Sequence, residues 1–80
     1  MTREDRQILN TLVANVLDCR IKDVADNEAT FSQIGMTDWE IREKLFDEVA
    51  NKFGLQIDEQ TRYEIYTMGD LVKILDGQKD

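Results

Sequence analysis

Phe31-Ser-Gln-Ile-Gly-Met-Thr-Asp-Trp-Glu-Ile-Arg-Glu-Lys-Leu-Phe-Asp-Glu-Val-Ala-Asn-Lys-Phe53 reads as a short loop running into an acidic amphipathic helix. Thr37 with Glu40 three residues on is a capping-box signal, so the spacing predicts a helix that begins at Thr37 or Asp38 and ends at Gly54. Ile41, Leu45, Val49 and Phe53 recur at four-residue steps, with Phe46 one step around, a stripe wide enough to face a core. Arg42, Glu43, Lys44, Asp47, Glu48 and Asn51 are left for solvent or a partner.

Upstream, Thr2-Arg-Glu-Asp5 is a helix start with acids in the first turn, where the helix dipole favours them. The helix is predicted to run to about Leu17, with Ile8, Leu12 and Val16 in one row and Leu9, Val13 and Leu17 in the next, together a face for burial. Residues 18–36 then form a long connection, which Val24, Phe31 and Ile34 would pin to the helices. Its Asp23, Asp26, Asn27 and Glu28 lack the alternate-residue spacing and central glycine of a calcium loop and read as solvated.

Downstream, Leu55 and Ile57 flank Gln56 in an extended stretch, and 58–66 suits a third helix of one or two turns with Tyr63 and Ile65 as its apolar contacts. Thr67 with Asp70 is another cap-like start, for a fourth helix that turns Met68, Leu71, Val72 and Leu75 inward and stops at Gly77, before a frayed polar tail. Periodicity alone thus predicts one all-α domain over 1–80, a four-helix bundle of three longer helices and a short one.

Composition narrows function. With 80 residues the core is too small to enclose a deep active site. A net charge of -7 argues against a phosphate-backbone binder, and suits docking on basic surfaces. There is no histidine and one cysteine, Cys19, so histidine-based catalysis, zinc sites and an intrachain disulfide are excluded. No constellation of nucleophile, base and oxyanion donors can be assembled, so no enzyme is expected. No signal peptide or long apolar run is visible, which places the expected protein in the cytoplasm, without membrane insertion and without a metal.

A loop Phe, an Asp at the mouth of an acidic helix, and Leu, an aliphatic residue and Phe at four-residue steps together resemble the second helix of acyl carrier proteins. The likeness continues through Ile57, Ile65, Thr67, Met68, Val72 and Leu75, and covers about the whole chain with one residue inserted between Val24 and Phe31. It implies the topology of that family's bundle, with a long loop between helices one and two and a minor third helix. It also implies that Cys19 stands where a buried aliphatic residue is usual; the alternative, a thiol for intermolecular pairing, has nothing nearby to lower its pKa.

One feature of the family is missing. Its second helix opens Asp-Ser-Leu, and the serine hydroxyl carries the phosphopantetheine arm; here the same register reads Asp38-Trp39-Glu40. Indole offers no nucleophilic oxygen, and a phosphorylated Asp38 would be a hydrolysable mixed anhydride, so no cofactor is expected. Thr37 is a crowded secondary alcohol wanted as the helix cap, and Ser32 lies upstream of the helix mouth. Trp39 either covers the first turn against Met36 or the loop, or stands out as an aromatic contact for a partner; exposure distinguishes the two.

The resemblance also implies that the acidic face, here Asp38, Glu40, Glu43, Asp47 and Glu48 with Trp39 and Phe46 beside it, docks on a protein with a basic surface, such as acyl-processing or synthase enzymes. Lys44 and Asn51 depart from that pattern. The first reading is therefore a monomeric carrier-fold protein without its prosthetic group, an interaction or regulatory module in fatty-acid, polyketide or peptide synthesis. The second is a working acyl or peptidyl carrier loaded at Thr37 or Ser32, with phosphopantetheine as cofactor. The third is a small stand-alone helical domain involved in oligomerisation, supported if Phe46 and Trp39 are both exposed, and excluded by a concentration-independent monomer mass.

Overall fold

Local capping explains where each long helix begins in the computed structural model, which describes residues 1–79. Helix α1 (Arg3–Leu17) opens at Thr2, whose hydroxyl accepts from the Asp5 amide at 3.1 Å. It closes at Asp18 in a left-handed conformation (φ 54°), which a short polar side chain tolerates. Helix α2 (Ile21–Val24) is a single turn inside the connection read from sequence as loop. Four residues are too few to show helical periodicity.

Helix α3 (Trp39–Phe53) is capped by Asp38, whose carboxylate accepts from the Ile41 amide at 2.9 Å, and ends on left-handed Gly54 (φ 66°). The cap is thus Asp38, leaving the Thr37 hydroxyl free of the role foreseen for it. Helix α4 (Glu59–Glu64) starts at Asp58, which accepts from Thr61 at 2.8 Å. Helix α5 (Met68–Lys79) opens with a reciprocal box: the Asp70 amide donates to the Thr67 hydroxyl (3.1 Å), and the Asp70 carboxylate accepts from the amides of Thr67 (3.2 Å) and Tyr66 (3.1 Å). The Tyr66 amide first, and those of Thr67 with it, hold the Asp70 carboxyl below the usual carboxylate range. Gly77 does not stop α5, which runs on through Lys79; Asp80, part of the tail expected to fray, lies outside the described residues.

The architecture is all-α, and among the described residues the only β-type pairing is an isolated antiparallel bridge, Thr30 with Thr67. That bridge belongs to a strap in which the Phe31 amide donates to the Tyr66 carbonyl (3.0 Å), Met68 to Ala29 (3.1 Å) and Gly69 to Asn27 (2.9 Å). At Gly69 an added Cβ would meet the Asn27 carbonyl oxygen at 3.0 Å, so a side chain there would force the strap to shift by a few tenths of an ångström.

The core gathers one face from each long helix: Leu9, Val13 and Leu17; Leu45, Phe46 and Val49; Met68, Leu71 and Leu75. Val24, Phe31 and Ile34 are buried as read from sequence, pinning the connection over it. The other row of α1 is shallower, with Leu12 and Val16 half-buried and Ile8 exposed. Cys19 is half-buried against the core, and burial, followed by the charges of Asp23 and Asp18, pushes its thiol up. It is a small hydrophobe here, not a reactive thiol.

The polar connection residues also have local tasks. Asp23 accepts from the Arg20 amide, Asp26 from that of Glu28, and the Asn27 side chain accepts from Arg6. No helix among the described residues is long and apolar enough to cross a membrane.

Candidate functional site

Asp38 orients the first turn of α3 so that Trp39 projects at its mouth, 47% exposed. Its ring partner is Tyr63 of α4, at 5.5 Å between centroids and tilted by 38°. One turn further along α3, Arg42 falls on the same face. Its guanidinium carbon lies 4.9 Å from the Trp39 ring, 4.6 Å from Tyr63 and 5.7 Å from Phe46, a cation held by aromatic faces. Among the described residues the half-buried Arg42 guanidinium makes no hydrogen bond or ion pair.

Arg42 also borders a groove of about 360 Å³ between the connection, α3 and the end of α4. Phe31, Met36 and Ile65 give it an apolar floor, while Thr30, Ser32, Tyr63 and Tyr66 bring hydroxyl-bearing side chains to its lining. Tyr63 and Tyr66 are both exposed. Tyr63 therefore does not serve as the inward contact of the short helix; Ile65, just past its end and buried, does so alone.

The acidic face of α3 is divided. Asp38 is occupied by capping, and Glu43 and Asp47 both pair with Arg62 of α4, Asp47 at 2.8 Å. The Arg62 Nε–H donates to the Ile57 carbonyl at 2.8 Å, and the guanidinium lies 6.0 Å from the Phe46 ring. One Glu43 oxygen, Oε1, is buried without a hydrogen-bond partner among the described residues. Glu40 and Glu48 are the exposed acids that remain, with Lys44 between them.

Phe46, placed on the partner face from sequence, is fully buried and meets Phe31 edge to face at 6.1 Å. Its burial agrees with its place in the core-facing stripe beside Leu45 and Val49, which the Phe31 loop covers, and not with its assignment to the partner face. The paired exposure of Phe46 and Trp39 that would have supported the oligomerisation reading is thus not found.

Thr37 and Ser32 are both exposed, and Ser32 lines the groove. A second, wider groove of about 630 Å³ runs along α1 past Ile8 and Leu12 to Lys52 and contains none of these residues. Sequence reasoning missed Arg42, Tyr66 and Arg62 as site-forming residues. The three-residue step from Trp39 to Arg42 was the one local signal available; the others come from α4 and beyond, across the fold. No protein-family model matches the chain, and no characterised protein matches it in sequence.

Proposed function

We propose that the protein is a carrier-type four-helix scaffold without a prosthetic arm, acting as a protein-interaction or regulatory module beside enzymes of fatty-acid, polyketide or peptide synthesis. The observation that carries the reading is Trp39. It occupies the first helical position of α3, directly after the Asp38 cap, where the acyl carrier family has its serine, and its ring is engaged with Tyr63 and Arg42. A phosphodiester needs an alcohol at the helix mouth, and this position supplies only an indole.

The module reading draws support from exposed Trp39, Tyr63 and Tyr66 on one side of the molecule, since Trp, Tyr and Arg are the residues that most often dominate binding energy. The variant-carrier reading keeps one point in its favour: Thr37 is exposed and has no capping duty.

Intact-mass measurement after incubation with coenzyme A and a broad-specificity phosphopantetheinyl transferase separates the two. An unchanged mass is expected, alongside an ordinary carrier that loads fully. A gain of one arm, lost in a Thr37→Val or Ser32→Ala variant, overturns the proposal and makes the protein a carrier.

A further inference from the structure

We infer that the groove beside Arg42 docks a segment of a partner protein that presents a carboxylate next to an apolar or aromatic side chain. This rests on the interaction-module reading and supplies its partner chemistry. It departs from the expectation that the partner must be basic.

The argument begins with an imbalance of charge. The chain carries 17 acids against 10 bases, yet Arg42 has no carboxylate or carbonyl on its guanidinium among the described residues. Arg6 and Arg62 show the contrary case, each with its donors engaged. Arg42 instead lies among ring faces, 4.9 Å from Trp39 and 4.6 Å from Tyr63, and its N–H groups have no acceptor among the described residues. A planar donor fork of this kind matches a carboxylate in a bidentate geometry.

Beside it lies the apolar floor of Phe31, Met36 and Ile65, lined further by Tyr63 and the 69% exposed Tyr66, with Trp39 in ring contact with Tyr63. The volume, about 360 Å³, suits one large side chain and its neighbours rather than a whole helix. An acidic partner needs its local attraction to be specific, and the Arg42 fork among aromatic rings supplies it.

Random dodecapeptides displayed on phage, panned on the full chain with counter-selection on Arg42→Gln, test the assignment. Recovered peptides are expected to carry an Asp or Glu within two positions of an aromatic or large aliphatic residue. They should bind at least about tenfold more weakly to Arg42→Gln and to Tyr66→Ser, the second chosen because Tyr66 is exposed enough to be replaced without disturbing the fold. Amide chemical-shift changes should centre on Trp39, Arg42, Tyr63 and Tyr66.

The assignment falls if no peptide is enriched, if basic peptides are enriched, or if both variants bind as the natural chain does. It falls equally if 3-phenylpropionate alone shifts the same resonances at lower concentration than the recovered peptides, which would make this a small-molecule site. None of these results changes the mass of the protein, so the absence of an arm is judged separately.

Discussion

Two arginines each tie a short helix to a long one, and they do so by opposite means. Arg6 of α1 reaches the end of α2 with neutral acceptors only: Asn10 Oδ1 at 2.9 Å, Asn27 Oδ1 at 2.6 Å, and the Val24 and Ala25 carbonyls at 3.2 Å. Arg62 of α4 reaches α3 through two carboxylates, Glu43 and Asp47, and adds a single carbonyl. Carbonyls at a helix end carry partial negative charge, so Arg6 completes the α2 terminus as a cap would. Arg62 instead cancels two like charges that sit four residues apart on α3 and would otherwise repel. A cation over neutral acceptors fastens a chain segment, whereas a cation between acids also decides how acidic a surface is.

The largest effect is expected from Arg62→Met. The Glu43 side chain is 28% exposed and that of Asp47 62%, so most of the loss comes from Glu43, left half-buried and unpaired. A cost of about 3 kcal/mol in urea unfolding is expected. Adding Glu43→Gln should restore about 1 kcal/mol, because the uncompensated charge is then gone. If the double variant is no more stable than the single one, Arg62 acts by packing on Phe46 and the contrast with Arg6 is lost.

Arg6→Met should cost less, about 2 kcal/mol, since solvent can reach Asn27 and Ala25 once the arginine is gone. Salt sharpens the contrast. Both substitutions change net charge equally, so the general self-repulsion of an acidic chain cancels between them. The penalty of Arg62→Met should shrink between about 0.05 and 0.5 M salt while that of Arg6→Met stays level. Burial already pushes the Arg6 guanidinium down from its ordinary value, as a cation without a counter-charge should show.

Asp70 is the mirror image of Arg6, an anion served by neutral donors. Asp70→Asn is expected to cost about 1 kcal/mol at neutral pH. Because the folded carboxyl titrates below its ordinary value near ~3.9, its contribution is present above that value and is lost as the pH falls through the folded pKa. The difference between variant and natural chain should therefore close only under strongly acidic conditions. A gap that closes at pH ~5 or above would mean that the amide bonds do not hold the charge.

Legibility in the sequence followed distance along the chain. Thr2, Gly54 and the Thr67–Asp70 pair were readable because a cap is settled within four residues, and the burial of Leu9, Val13, Leu45 and Leu71 because periodicity is local too. Gly77 misled because glycine marks helix ends only when the chain turns left-handed there, whereas inside a helix it costs just about 1 kcal/mol. Phe46 was read rightly as part of the core-facing stripe, but its place beside the partner face was wrong because its cover, Phe31, arrives from a loop fifteen positions away. The acidic face looked more acidic than it is because no local rule sends Arg62 to Glu43 and Asp47. Trp39 was placed correctly at the helix mouth, but its partner Tyr63 belongs to another element and could be found only in three dimensions.

Arg42 completes the comparison as an arginine set among ring faces with no acceptor among the described residues. Such contacts are worth about 0.5–1 kcal/mol at exposed sites, and the glutamine of Arg42→Gln still packs between Trp39 and Tyr63, so a cost of about 0.5 kcal/mol is expected. Trp39 is the single tryptophan, and its emission should move although the unfolding midpoint hardly does. That combination is what the docking proposal requires of Arg42, because a fold-holding arginine cannot be removed so cheaply. A loss comparable to that of Arg6→Met would instead put Arg42 among the residues that hold α4 against α3, and the exposed ring cluster would then be a brace rather than a docking face.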